Sequence, residues 1–511
     1  MRALLPLCLC ASVFLTPLQA QQKTPVDVNK RSVDGSTPLQ WAVYDENVAE
    51  VRRLLKAGAK VSLANNYGAT PMGLAAEVGN TEIIKLLLEA GAEPDSPNAD
   101  GQTALMEVAR TGNVEAAELL VKHGAKVDAK ERWGGQTALM WASARRHPQM
   151  MQFLISKGAD VNARSIDRDY QRHVTAEGRP KNLDSGGFTP LLYAARENCL
   201  ACVKVLIDNK ADINLQDPDG VSPLLLAIMN TNWDLAKQLI VAGADVNEWD
   251  MFGEAPLFTA IGLRNQVGGK ASIDPLNETN GADIVHMLLD RGANPNMQLF
   301  FRPAHLKGAT NTRGSTPLIR AANDADMEMV KLLLQRGADV NLMMADRQTA
   351  LMAVLVGRAA EPQALQLMQV LHDAGADVNV IALINHREAA ETTATISGRG
   401  GTALHYAVRK RYKEVIKKLA EWGADMNAKD QDGLTALDYT QSRGFMAFMA
   451  NQTPLYKEEM ALLRQLGATE ELKRSPEWPV LGPPQGIDLD LWPIGEPAVH
   501  DPVYTYTHTS N

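Results

Sequence analysis

Cysteine is nearly absent from this 511-residue chain, with four in all, at positions 8, 10, 199 and 202. That is too few to build a disulfide scaffold. Neither sign of charge dominates: Lys+Arg 51 against Asp+Glu 60 gives a net charge of −9, which argues against nucleic acid or an anionic membrane surface as the main partner. Beyond residue 20 no apolar run is long enough to span a bilayer. His-Glu-x-x-His, Gly-x-Ser-x-Gly and Gly-x-Gly-x-x-Gly do not occur, so the signatures of zinc-dependent hydrolysis, serine hydrolysis and dinucleotide binding are missing. Gly268-Gly269-Lys270-Ala271 resembles the end of a phosphate loop. However, Ala271 has no oxygen for Mg²⁺ and no strand precedes the segment, so a flexible loop is the simpler account.

What is present is ordinary foldable composition, 45% apolar and 22% charged, on a chain too long for one core, which usually stops growing at ~250–300 residues. Residues 1–20 have the make-up of an export signal. Arg2 precedes an apolar run, and Leu18-Gln19-Ala20 suits cleavage after a small residue. Pro17 and the shortness of the run argue against a membrane-spanning helix. Cleavage would take the net charge from −9 to −10 and leave Cys199 and Cys202 as the remaining cysteines. An exported chain, periplasmic or extracellular, is the expectation.

A repeat organises the rest. Thr37-Pro38-Leu39 has counterparts starting at Thr70, Thr103, Thr137, Thr189, Ser222, Ala255, Thr316, Thr349, Thr402 and Thr435. Successive starts lie 33 or 34 residues apart, apart from three longer steps of 52, 61 and 53. A glycine follows 21 residues after the first anchor in most copies: Gly58, Gly91, Gly124, Gly158, Gly243, Gly337 and Gly423. In each copy the hydroxyl suits a helix cap and proline the first helical position. A second helix, with Asn47, Asn80, Asn113, Asn232 or Asp326 at its expected cap, carries a wide apolar stripe such as Ile83-Ile84-Lys85-Leu86-Leu87-Leu88. Glycine then ends it in the left-handed region. Lys210 replaces that glycine in the fifth copy, which predicts strain or capping through Asn209. The seventh, ninth and eleventh copies are stretched between their helices.

This pattern, T-P-L-x-x-A, two helices, then G-A-D-V-N at 33 residues, resembles the ankyrin repeat. The resemblance implies an all-α solenoid of about eleven helix-turn-helix units joined by β-hairpin-like fingers. On this reading 1–20 is a signal peptide, 21–33 a linker, 34–472 the solenoid and 473–511 an extended tail rich in proline and aromatics. The leader extends the likeness to exported, periplasmic or secreted, bacterial ankyrin proteins, some of which accompany or are fused to c-type cytochromes. No single unit encloses an active site, so the expected function is a non-catalytic protein-interaction scaffold acting outside the cytoplasm. The alternative is an accessory or protective subunit of an exported redox enzyme, with a thiol role for Cys199 and Cys202. No cofactor, metal or nucleic acid is expected.

Three connections are overlong and line the inner face in this fold: 164–186, 298–313 and 380–399. The first holds five Lys/Arg, Arg168 and Arg172 among them, against four Asp/Glu. The second holds Arg302, Lys307 and Arg313 without an acid, beside Phe300-Phe301. Partner binding is therefore assigned to Phe300, Phe301, Arg302, Lys307, Arg313, Arg168 and Arg172. To these are added aromatics recurring in the first helix, Trp41, Trp141, Tyr193 and Tyr406, for which packing between helices is the competing account. His173, His305 and His386 fall one on each finger, but repeats stacked at ~8–10 Å hold them too far apart for one metal. Cys199 and Cys202 stand as inert core residues, as a local disulfide or as a redox pair. Val203 in place of histidine excludes haem attachment by C-x-x-C-H.

Overall fold

The computed structural model describes residues 27–167, 186–264, 277–300, 313–383, 400–431, 433–440 and 456–469. The first 26 residues, residues 470–511 and most of each long finger lie outside them. Among the described residues twenty-two helices run in eleven pairs, from Pro38–Tyr44 with Val48–Lys56 to Ala436–Tyr439 with Lys457–Gln465. Each expected copy supplies one pair. None of these helices is long and apolar enough to cross a membrane.

The chain divides into two compact units, one over residues up to 108 with 115–126, the other over 109–114 and from 127 onward. In the first unit Thr37 shows how a copy starts. Its hydroxyl accepts the Gln40 N–H at 3.4 Å and the Gln40 side chain accepts the Thr37 N–H at 2.8 Å, with Pro38 filling the first helical position. Leu39, Ala42 and Val43 are buried on one face. In the helix Thr81–Glu89, Ile83, Ile84 and Leu87 are wholly buried, each a gain of roughly 1.5–3 kcal/mol over exposure. The second unit repeats this with Thr137, Thr189, Ser222, Thr316 and Thr349 capping. Small residues at one inward place, Ala142, Ala194, Ala227, Ala260 and Ala321, are buried and let neighbouring helices approach.

The glycines that close the second helices have φ between 82° and 98° at Gly58, Gly91, Gly124, Gly158, Gly243, Gly337 and Gly423. Space is free where a Cβ would stand, so backbone conformation alone demands glycine there. Lys210 adopts φ 64° in its place, and Asn209 caps the helix by donating from Nδ2 to the Val205 carbonyl at 2.8 Å. Both features expected of the fifth copy are therefore present. Of the predicted second-helix caps, Asn47, Asn80 and Asp326 accept a backbone N–H. Asn232 does not; its side chain makes no cap hydrogen bond. The stretch in the ninth copy is absorbed by a longer second helix, Glu361–Asp373, and that in the seventh by 265–276, outside the described residues.

Copies are joined by a side-chain latch that the repeat spacing did not announce. Four residues after the closing glycine, an amide reaches into the next copy. Asn296 accepts the Asp339 N–H at 2.8 Å and donates to the Gly337 carbonyl at 3.1 Å. Asn247, Asn341 and Asn379 make the same two bonds. Asn162, Asn214 and Asn427 accept from Asp212, Asp245 and Thr469. Segments such as Asp160-Val161-Asn162 are thus connectors as well as turns.

Candidate interaction surface on the fingers

Backbone hydrogen bonds tie several of the fingers to their neighbours. In the first unit the Asn66 N–H donates to Asp34. In the second, Ile166 donates to Gly134, Met251 to Asp219, Phe300 to Phe252, Ala345 to Arg313 and Leu383 to Asp346, all at 2.7–2.9 Å. Arg164 adds a bridge through Nη1 to the Gly187 and Gln216 carbonyls at 3.1 and 2.7 Å. The fingers of the second unit therefore form a connected row and not independent loops.

All three long fingers have paired roots. Ser165 donates to the Phe188 carbonyl and Gly187 to that of Ile166. Leu299 donates to Ser315 and Gly314 to Leu299, while Ala382 and Gly401 exchange hydrogen bonds. Glycine is required at two of these roots for lack of room. A Cβ on Gly186 would collide with the Ile166 carbonyl oxygen, and one on Gly400 with that of Ala382. Arginines brace two roots from the first helices. Arg196 lies over Phe188 and Tyr193 at 5.8 and 5.1 Å, and Arg409 over Tyr406 and Tyr439 at 4.8 and 4.5 Å. Arg409 also donates to the Gly400 carbonyl at 2.8 Å.

Large apolar side chains are exposed along this row. Trp133 is 74% exposed, Ile166 46%, Met251 43% and Met343 38%. In the first unit Tyr67 is 75% and Val33 fully exposed, side by side because the Asn66 amide donates to the Val33 carbonyl. Exposed apolar side chains of this size supply contact area to a binding partner. These residues were missed in the reading of the sequence. The available signal was a tryptophan or methionine within a turn, as in Arg132-Trp133-Gly134-Gly135.

The residues assigned to partner binding separate into three groups. Trp41 is 48% exposed and stacks edge-on with Tyr44 at 6.2 Å. Trp141 is half-buried, and its indole N–H is enclosed without a hydrogen-bond partner among the described residues. Tyr193 and Tyr406 are buried, at 2% and 4% exposure, which corrects their assignment. Tyr193 packs edge-on against Phe188 at 5.4 Å and accepts from Gln136 Nε2 at 2.7 Å. Tyr406 lies under Arg409, and burial raises its hydroxyl pKa to about 12. Phe300 is half-buried with its ring edge-on to Trp249 at 6.2 Å; it roots the second finger and does not stand free. Arg313 is half-buried beside it, its carbonyl accepting from Ala345. Arg168, Arg172, Phe301, Arg302, Lys307 and the three finger histidines lie outside the described residues.

Titration chemistry at the row is muted. His405 is buried, accepts the Thr402 N–H at Nδ1 (3.1 Å) and bonds through Nε2 to the Leu434 carbonyl (3.1 Å). Burial lowers its pKa to about 4, so the ring is a neutral strut. Glu248 goes the other way, raised to about 7 by burial and by Asp245 and Asp212. No group of three or more His, Cys, Asp or Glu among the described residues is placed to hold a metal. Cys199 and Cys202 form a disulfide, one of the three readings left open by their spacing.

A family profile described as "Ankyrin repeats (3 copies)" matches residues 10–98, 74–165, 191–268 and 276–382, and one described as "Ankyrin repeat" matches 399–431. Among curated proteins, the chain is 32% identical over 112 residues to "Ankyrin repeat, SAM and basic leucine zipper domain-containing protein 1" of Dasypus novemcinctus, covering 22% of this chain and 20% of that protein. It is 28% identical over 197 residues to "Mitochondrial disaggregase" of Bos taurus, covering 39% and 24%. This chain spans about a fifth to a quarter of these relatives' length. Among solved structures it is similar to the ankyrin repeat domain of Bcl-3, with 28% identity, a TM-score of 0.37, and 44% of this chain and 94% of that one covered.

Proposed function

The chain belongs to the ankyrin-repeat family, and from that premise we propose that it is a non-catalytic protein-binding scaffold working outside the cytoplasm. The observation that carries the binding role is the tied row of fingers with Trp133, Ile166, Met251 and Met343 exposed along it. Such side chains supply the apolar centre of an interface, and aromatic anchors among them dominate its energy. The long fingers depart from the same row at paired roots. The extracytoplasmic setting is supported by the leader-like run of 1–20 and by the Cys199–Cys202 disulfide, which persists in oxidising compartments. The likeness to exported bacterial ankyrin proteins rests on that leader alone. A catalytic thiol role for the cysteines is disfavoured because both sulfurs are buried, at 5% and 0% exposure.

A photo-crosslinking amino acid placed at 133 or 251 should trap a protein partner. The same group at the exposed second-helix positions 200 or 241 should not. Equal trapping at all four would remove the finger row as the binding surface. Replacing Leu7 and Leu9 by charged residues should leave the precursor in the cytoplasm, and unchanged fractionation would refute the export reading.

A further inference from the structure

The helix Leu200–Asp208 departs from the repeat pattern at both ends, with Cys199 at its cap and Lys210 where other copies have glycine. Where Asn47 and Asn80 cap with an amide oxygen at 3.0 and 3.1 Å, Cys199 offers sulfur to the Cys202 N–H at 3.2 Å, a weak acceptor. The preceding Asn198 sits at φ 52° with its side-chain oxygen buried and unpartnered, and Lys210 closes the far end at φ 64° without glycine. The left-handed residue before the cap is shared with Glu46, Arg146, Thr231, Ala325 and Arg411 of other copies, so what sets this helix apart is a sulfur cap at its start and Lys210 in the place of the closing glycine. The disulfide offsets that by holding the Cys199 sulfur against the first turn. The same turn is joined to the first long finger. The Cys199 N–H donates to the Ala194 carbonyl, and the helix Pro190–Arg196 carries Tyr193 and Arg196, which pack on Phe188 at the finger root.

We propose that the Cys199–Cys202 disulfide is a latch reducible by a dithiol, and that its opening loosens the root of the 164–186 finger. What exposure the pair has is at Cys199, so the reductant's thiolate attacks that sulfur, the S–S bond breaks and Cys202 leaves as a thiolate at the helix start. The reductant's second thiol then attacks the mixed disulfide and frees Cys199. Two electrons and two protons pass to the protein, and the dithiol ends as its own disulfide. Access comes through fraying of the first turn, which the poor terminators favour. The latch does not depend on which partner the fingers hold.

Hydrogen exchange of the full chain, oxidised and after dithiothreitol under native conditions, tests this, with alkylation mass confirming two free thiols. Reduction should speed exchange at 199–206 and 186–193 by about tenfold or more, leaving 317–335 unchanged. The variant C199N/C202V, which carries the amide cap and apolar slot of other copies, should match the oxidised protein and ignore dithiothreitol. A disulfide that resists dithiothreitol in the folded protein overturns the proposal. So does equal exchange in both states, or a loss of protection that extends to 317–335.

Discussion

The two compact units are built on one repeat but are joined differently from copy to copy. In the first, the latch positions read Asn29, Ser62 and Asp95. Asn29 accepts the Lys60 N–H at 2.8 Å and Asp95 the Lys126 N–H at 2.9 Å, while Ser62 puts a one-carbon hydroxyl where an amide reaches elsewhere. In the second, Asp128 is followed by seven asparagines in succession, four of which both accept and donate across the joint. The second unit also carries every insertion. An insertion lengthens the chain between copies and weakens the covalent link that keeps them in register. A side chain that accepts an N–H and donates to a carbonyl of the next copy restores that register at the point of contact. The lesson is that irregular repeats need stronger joints than regular ones.

Removing joints from the second unit should have the largest effect. Asn341→Ala with Asn379→Ala deletes four hydrogen bonds, which at ~1 kcal/mol each should cost about 4 kcal/mol. The loss should appear as faster hydrogen exchange across 327–421 with the first unit unchanged. Uniform loss in both units would mean the latch does not act locally.

Acid should separate the units next. His405 has its folded pKa lowered to about 4 from an ordinary 6.5. Its contribution is therefore complete above pH 6.5 and is lost as pH falls towards 4, on the order of 3 kcal/mol in all. Melts between pH 7 and 4 should show the 403–421 pair weakening in that window. His405→Gln should flatten the trend, and an unchanged slope in that variant would exclude the histidine as its source.

A smaller effect is expected at the tenth copy. Tyr412 gives its second helix no side-chain cap. Instead Glu361, from the copy before, accepts the Glu414 N–H at 2.7 Å. Glu361→Ala should cost about 1 kcal/mol, read as a lower denaturant midpoint at unchanged slope. The reverse experiment strengthens the sparser unit. Ser62→Asn should slow exchange over residues 48–90 by a few fold, for a gain under about 1 kcal/mol, and no gain would mean that an amide alone does not make the joint.

The helices were legible because their determinants are local. Threonine, proline and glycine act on their own backbone within one turn, and Leu/Ile spacing defines the buried face without reference to any other copy. The joints were less so. Asn341 bonds residues 34 and 36 positions away, and its role is visible only when two copies are laid side by side. Tyr193 and Tyr406 were misjudged for a related reason. Their spacing places them on the inner side of the first helix, but whether they meet solvent depends for Tyr193 on Gln136 and Phe188, outside its helix, and for Tyr406 on how Arg409 of its own helix lies over the ring. The exposure of Trp133 was not legible because a tryptophan between Arg132 and Gly134 breaks no turn rule.

The paired finger roots have a consequence for how such a protein can change. At each root the two chain segments are already held together by hydrogen bonds before the long connection departs, so a longer connection starts from ends that are already closed. Doubling its length costs only ~0.6 kcal/mol in closure entropy. New recognition sequences can thus be swapped in or out, by recombination or by design, at sockets such as 165/188 and 382/401. The coding change needed to acquire a new partner is separated from the changes that would endanger folding.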